Sequence, residues 1–312
     1  MENNFNDKKI AVVGIGGVGG YIGALLAKTY PHVTFAARGK RKESLETNGL
    51  TLHSEYKGEI NVFAENVTET ASLPPQDYIF ICVKNYSLEG VLAEIAPAVT
   101  AETVIIPVMN GIDKGEKTKA LLPRAMVIDS LIYIISYSNP DFSITHQGKF
   151  ADIKIGVKRP TEKEKEKTAE VCALLNKAGV DCVAAEDIEL EIWRKYILNC
   201  AYNVATAYYN NTIGELRDDP KKAAEYEALV DEACTVAKAK GVKILSSHRD
   251  EIIYRFYNEH PYNATSSLQR DINAKRPAEL ETFGEYLTKE AERLGLSVPV
   301  SLKMYEGLRE KI

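Results

Sequence analysis

A parallel-sheet α/β domain followed by an all-α domain is the architecture this sequence predicts, and three observations predict it. Short β-branched runs alternate with helix-length segments through the first half, and strand signals stop near residue 187. In addition, the 312 residues exceed the ~250–300 at which a single hydrophobic core usually stops growing. The expected domains are residues 1–187 and 188–312.

The elements follow in order. KIAVVG (9–14) reads as a strand, a helix starts at Gly17, and HVTFAA (32–37), YIFICV (78–83) and TVIIPV (103–108) read as further strands, with a helix near Leu88. That alternation argues for βαβ units. MVIDSLIYIIS (126–136) is a further strand, and DFSITHQG and ADIKIGV, joined through Gly148 and Lys149, are expected to form an antiparallel hairpin closing the sheet. TEKEKEKTAE, from Thr161, begins a helix whose charges are a solvated face. From Asp187 apolar positions recur every three or four residues to the end, the helical period. Pro220, Pro261, Pro277 and Pro299 each stand where a helix can start, since proline is tolerated in the first turn.

Composition excludes several classes. The chain is 45% hydrophobic and 27% charged, within the ordinary globular range, with no run of the roughly 18 apolar residues that a membrane span needs. The start, MENNFNDKK, lacks the apolar middle of a secretory signal, so cytoplasmic residence is expected. Five cysteines in no C-x-x-C spacing suggest free thiols, not a disulfide framework or a zinc knuckle. A net charge of −5 offers no general attraction to nucleic acid or anionic membranes. The five histidines have no ligand spacing, and the acidic pairs Asp218-Asp219 and Asp231-Glu232 are helix neighbours that point apart, so no metal is expected.

Gly14-Ile15-Gly16-Gly17-Val18-Gly19 gives G-x-G-x-x-G between a predicted strand and a predicted helix. Glycines there permit the tight turn, let backbone amides approach a pyrophosphate, and let helix and strand pack closely. In that position the pattern marks a dinucleotide-binding, Rossmann-type domain. The second strand of such a domain normally ends in an acidic residue that holds the ribose 2′-hydroxyl of NAD. Between Tyr30 and Lys42 there is neither Asp nor Glu; the strand ends at Arg38, followed by Lys40, Arg41 and Lys42. That ending suits a 2′-phosphate, so NADP is preferred over NAD.

In the second half, EIWRKYILNCAYNVATAYY (191–209) is mostly apolar yet sets Lys195, Asn199 and Asn203 at i, i+4 and i+8, on one helix face. Such groups are costly to bury unless they are paired or meet a ligand. The spacing alone equally admits a bland arrangement, with Lys195 paired to Glu191 and the asparagines bonded to nearby backbone.

Trp193, Lys195, Asn199 and Asn203, as W-x-K-x-x-x-N-x-x-x-N in the first helix of the second domain, resemble the signature of the ketopantoate reductases. Val83-Lys84-Asn85 resembles the family's V-K, Met109-Asn110-Gly111 its Q-N-G, and SSLQRDINAKRPAELE (266–281) its serine- and glutamate-bearing C-terminal segment. The resemblance spans roughly residues 9 to 310. It implies a C-terminal domain like that of 6-phosphogluconate dehydrogenase and NADPH-dependent reduction of ketopantoate to pantoate, in pantothenate and coenzyme A biosynthesis. It implies Lys195 as general acid, Glu279 in support of it, and Asn110, Asn199, Asn203 and Ser267 as substrate contacts, with Ser267 on the substrate carboxylate. Cofactor contacts are expected from Gly14, Gly16, Gly17, Val18, Gly19, Arg38, Lys84 and Asn110. The chain departs from the pattern at Met109, at Ile213 where an asparagine often precedes Gly-Glu-Leu, at Glu281, and at Gly284-Glu285. Those departures leave open another small 2-keto acid or ketone as substrate, and a non-catalytic NADPH-binding sensor as a different class. A small-molecule 2-keto acid is the partner expected; the sequence is silent on oligomeric state, and a homodimer is compatible with it.

Overall fold

A strand apolar at every position has to be covered on both faces, and β1 (Ile10–Val13) is buried at all four. The computed structural model describes residues 4–312. They divide into two units, the first ending at Ile188 and the second running from Glu189 to Ile312.

In the first unit β1 is followed by α1 (Gly17–Thr29), β2 (Val33–Ala36), α2 (Gly39–Asn48), β3 (Leu50–Ser54), β4 (Gly58–Val62), β5 (Asn66–Thr68), β6 (Tyr78–Ile81) and α3 (Leu88–Ile95). Then come β7 (Val104–Pro107), α4 (Lys114–Leu121), β8 (Met126–Val127), β9 (Asp129–Ser138), β10 (Ile144–Gly156), α5 (Glu162–Lys177) and β11 (Cys182–Ala184). Six strands form one sheet in the order β5-β2-β1-β6-β7-β8, paired in parallel throughout. Ile10 and Val12 face a core that includes Ile22 and Leu26 of α1; Ala11 and Val13 face the other way, onto Leu88, Leu92 and Ile95 of α3. The chain leaves β1 toward β2 on one side, and β6 lies on the other, so the strand order reverses at β1/β6. That is the place where doubly wound sheets bind ligands, outside the carboxyl ends of the strands.

A second sheet, in the order β11-β10-β3-β4 with β9 on β10, corrects the sequence reading. MVIDSLIYIIS is not one strand: Met126–Val127 completes the first sheet, and β9 starts at Asp129 in the second. The expected hairpin through Gly148 is instead one long strand, β10, paired antiparallel with β9 from Ile144↔Ser138 to Gly156↔Asp129. The register slips between Gln147 and Asp152. Gly148, at φ +80°, thus marks a bulge; inside a strand pattern an isolated glycine fits a bulge as readily as a turn. α1 packs against β9, β10 and β3. The charged run after Thr161 is an exposed helix face, opened by a capping box between Thr161 and Glu164.

The second unit is helical: α6 (Ile188–Tyr209), α7 (Ile213–Asp218), α8 (Pro220–Ala239), α9 (Ser246–Asn258), α10 (Ser267–Asn273), α11 (Tyr286–Arg293) and α12 (Pro299–Arg309). At 1.5 Å per residue α6 is about 33 Å long. Pro220 and Pro299 open α8 and α12 as expected. Pro261 and Pro277 do not open helices; they lie in the loops before α10 and before a π-helical turn, Glu281–Glu285, that runs into α11. α8 packs against α7, α9, α11 and α12.

Candidate active site

The turn after β1 uses each glycine differently. Gly14 has φ +88°, and a Cβ there would lie 2.7 Å from Val83 Cγ1 and 2.9 Å from the Cys82 carbonyl, so the turn is pressed against the end of β6. A Cβ on Gly19 would lie 2.1 Å from the Gly14 carbonyl and one on Gly17 2.4 Å from the Ser136 carbonyl of β9. Gly16 has nothing within 4 Å of its Cβ position and caps α1 with extended backbone and no side-chain bond. The N–H groups of Gly17, Val18 and Gly19 belong to the first turn of α1, where amides have no partner within the helix. An open glycine beside those amides fits the diphosphate of a dinucleotide.

Three more of the expected residues stand at the carboxyl ends of neighbouring strands. Arg38, just past β2, is exposed and precedes α2. Of the basic residues that follow, Lys40 is exposed, while Lys42 pairs with Glu46. Arg41 turns inward: its guanidinium donates to the Phe142 carbonyl and lies 5.6 Å from the Phe142 ring centre. Burial pulls its pKa down to about 10, against the pull of Asp141. Arg38 and Lys40 are thus the two exposed members of the run. Lys84 caps a 3₁₀ turn after β6, receiving the Ser87 N–H at 2.9 Å, and Asn110 follows β7. The strand order places β2, β1, β6 and β7 side by side, so Arg38, Gly16, Lys84 and Asn110 share one edge of the sheet.

Sequence reasoning missed Lys114. It is 1% exposed, and its ammonium donates to the Gly111 carbonyl at 3.0 Å, tying the start of α4 back to the Asn110-Gly111 turn. Gly111 has φ +101°. Burial lowers the Lys114 pKa, and Asp129 and Asp113 oppose the shift; the Asp129 carboxylate sits where a Cβ of Gly115 would be. A lysine in a helix's first turn carries no sequence signal of burial.

In the second unit α6 carries Lys195 and Asn199, both half-buried, and Asn203, 5% exposed. The helix is held by aromatic packing: Trp193 meets Tyr196 edge-on at 5.6 Å, and the Tyr196 hydroxyl donates to the Thr282 carbonyl at 2.9 Å. Thr282 lies in the π-helical turn that follows buried Glu279, so that bond ties the helix of Lys195 to the segment of Glu279. Such turns recur at functional sites. Glu191 pairs with Arg194 at 3.1 Å.

Asn203 links α6 to α10. Its amide donates to the Asn199 carbonyl at 3.0 Å, and its Oδ1 receives the Ser267 hydroxyl and the Leu268 N–H, each at 3.3 Å. Ser266 caps α10 by accepting the Gln269 N–H, and its hydroxyl lies 2.8 Å from that of Thr206, one turn beyond Asn203 on α6. The structure therefore brings Asn203 and Ser267 together and gives the asparagine a positioning task. Ile213 is fully buried at the start of α7, an apolar interior position. His260, against the Tyr202 ring, is pulled down to about 4 by burial and by Arg255 and Arg217, and so is neutral near pH 7. His146 bonds Ser54 Oγ and the Phe150 carbonyl. Among the described residues no group of three or more His, Cys, Asp or Glu could hold a metal, and no helix is long and apolar enough to cross a membrane.

The family described as ketopantoate reductase PanE/ApbA matches residues 10–160, and its C-terminal partner, ketopantoate reductase PanE/ApbA C terminal, matches residues 187–311. The chain is 30% identical over 304 residues to the uncharacterized oxidoreductase YkpB of Bacillus subtilis, covering 96% of this chain and 98% of that one. The solved 2-dehydropantoate 2-reductase of Porphyromonas gingivalis is similar at TM-score 0.81 and 27% identity, over 97% of this chain and 99% of that one. D-mandelate dehydrogenase, solved with NADH and anilino(oxo)acetate, has the same fold at TM-score 0.86 and 18% identity, over 97% and 98%. With a glycine turn at the switch point of a parallel sheet, a lysine-asparagine face on the helical unit, and both halves matched in order, the chain belongs to the ketopantoate reductase family of NAD(P)H-dependent oxidoreductases.

Proposed function

We propose that this protein reduces a small 2-keto acid with NADPH and that ketopantoate, yielding pantoate for pantothenate and coenzyme A biosynthesis, is its substrate. The observation that carries the reading is the polar face of α6, Lys195 with Asn199 and Asn203, tied through Asn203 to Ser267. When bound, the reduced nicotinamide supplies the hydride. The amides of Gly17, Val18 and Gly19, with the open side of Gly16 and the turn at Gly14, hold the diphosphate; Arg38, helped by Lys40, reads the 2′-phosphate. Lys84 and Asn110, at the ends of β6 and β7, hold the nicotinamide end, and Asn110 also meets substrate.

On the second unit Asn199, Asn203 and Ser267 orient the keto acid, Ser267 toward its carboxylate. As hydride reaches the carbonyl carbon, negative charge grows on the oxygen. The Lys195 ammonium stabilises that charge and gives up a proton to it, leaving a secondary alcohol and a neutral amine that solvent reprotonates. Glu279 supports the ammonium. A second reading keeps the reaction and changes the acid: Ile213 is buried and apolar where the family often has asparagine, and D-mandelate dehydrogenase, solved with NADH and anilino(oxo)acetate, has the same fold.

The test follows NADPH consumption with ketopantoate beside pyruvate, 2-ketobutyrate, 2-ketoisovalerate and an aromatic 2-keto acid. The expected result is a kcat/KM for ketopantoate at least about tenfold above the others, the scale on which pocket contacts discriminate. A higher value for another acid assigns that acid instead. NADPH binding without turnover of any would replace the enzyme reading with that of a sensor.

A further inference from the structure

Cys172 and Cys182 are brought together by the end of α5 and the start of β11. Cys172 Sγ lies 3.1 Å from the Cys182 carbonyl oxygen. The side chain of Asn176, one turn beyond Cys172 on α5, grips Cys182 from both sides. Its Nδ2 donates to the Cys182 carbonyl at 2.8 Å, and its Oδ1 accepts the Cys182 N–H at 2.9 Å. The same Nδ2 lies 3.5 Å from Cys172 Sγ. Cys182 is further fixed by its pairing with Ile153 of β10. The half-buried thiol of Cys172 is thus held against the backbone of buried Cys182, ten positions on.

We propose that Cys172 and Cys182 form a reversible redox pair, in which Cys172 reacts with a hydroperoxide and Cys182 resolves the product as an intramolecular disulfide.

The surroundings of the five thiols separate this pair from the rest. The neighbouring Cys182 thiol, opposed by burial and helped by the Ala184 N–H and Asn176, lowers the Cys172 pKa. Burial raises Cys82, pushes Cys200 up to about 12 and Cys234 up to about 11. The bond to Cys172, with burial, raises Cys182. Among the five thiols, Cys172 is the one whose surroundings favour the thiolate, the form that acts as nucleophile. In the first step its sulfur attacks one peroxide oxygen, the O–O bond breaks, and the leaving oxygen takes a proton as water or an alcohol. Cys172 is oxidised to a sulfenic acid and the peroxide is reduced. In the second step the Cys182 sulfur attacks Cys172, the S–S bond forms as S–O breaks, and the departing hydroxide leaves with the Cys182 proton as water. A dithiol reductant reverses the bond by exchange.

The experiment exposes the reduced full-length protein briefly to equimolar hydrogen peroxide, blocks remaining thiols, and maps the peptides. A Cys172–Cys182 cross-link that dithiothreitol removes is expected. Cys172→Ser should abolish it, and Cys182→Ser should leave a sulfenic acid at Cys172 that dimedone traps. In the unmodified chain, iodoacetamide at neutral pH should alkylate Cys172 at least about tenfold faster than Cys200 or Cys234, reflecting its partial exposure and its lowered pKa. Equal alkylation rates, oxidation spread evenly over the five cysteines, or sulfenic acid at Cys172 without the cross-link in the unmodified chain would each overturn the proposal.

Discussion

The two units offer a ligand different kinds of surface. The first works largely through backbone: at the turn after β1 the decisive feature is a side chain that is missing, with Gly16 open on the side where Gly14, Gly17 and Gly19 are each pressed against protein. The second works through side chains on one rigid helix, and those need support of their own. Asn203 is steadied by Asn199 and in turn steadies Ser267 and the start of α10. A backbone surface is specified once the chain takes its path. A side-chain surface depends on a further layer of bonds, and in the second unit a capped helix, a buried asparagine and a hydroxyl pair supply it around the polar face of α6.

If the division holds, removing the ammonium should separate chemistry from cofactor binding. Lys195→Ala is expected to lower kcat by about 10²–10⁴-fold, the usual worth of a positioned general acid. The NADPH dissociation constant, measured by calorimetry, should change by less than about twofold. A parallel loss of NADPH affinity would show that the lysine serves the cofactor as well and would break the comparison.

The same contrast explains what was legible in the sequence. G-x-G-x-x-G encodes a backbone path directly, so the turn, its strand and its helix could be placed from Gly14 to Gly19. Lys195, Asn199 and Asn203 share a face by arithmetic alone, but spacing could not say whether that face met a ligand or its own backbone; Asn203 does bond backbone, at Asn199. The second sheet was not legible, because β3 and β4 are short and partly exposed and β10 carries a glycine bulge that reads like a turn. Nor was the inward turn of Arg41, which depends on Phe142, 101 positions away. Lys114 was missed because only the packing of Asp129 over Gly115 makes room for a buried ammonium.

Arg41 sharpens the cofactor half. Four basic residues follow β2: Arg41 turns inward, Lys42 pairs with Glu46, and Arg38 and Lys40 are exposed. Arg38→Ala should cut the preference for NADPH over NADH by roughly 10- to 100-fold, the equivalent of a charge-assisted bond of about 1.5–3 kcal/mol. Arg41→Ala should leave that ratio unchanged and lower the melting temperature instead, since its guanidinium packs on Phe142. Paired kinetics with both cofactors and a thermal scan read both effects. The reverse outcome would place 2′-phosphate recognition within the first turn of α2.

The smallest effect tests the backbone surface itself. Gly19→Ala would set a methyl group 2.1 Å from the Gly14 carbonyl, and overpacking of that kind typically costs about 1–3 kcal/mol. In a domain of this size that is several degrees of melting temperature. Gly16→Ala adds the same atom where nothing lies within 4 Å, so stability should stay within about 0.5 kcal/mol, as at ordinary surface positions. Its NADPH affinity, however, should fall by about tenfold, because the methyl group stands where a phosphate must approach the amides of Gly17, Val18 and Gly19. Denaturant unfolding without ligand, followed by NADPH titration, separates the two. Were Gly16→Ala to bind NADPH as well as the unaltered chain does, the open glycine would be a bend in the chain and the diphosphate would lie elsewhere along the sheet edge. Were it to lose stability without the ligand, Gly16 would belong with its neighbours, pressed for the sake of the fold.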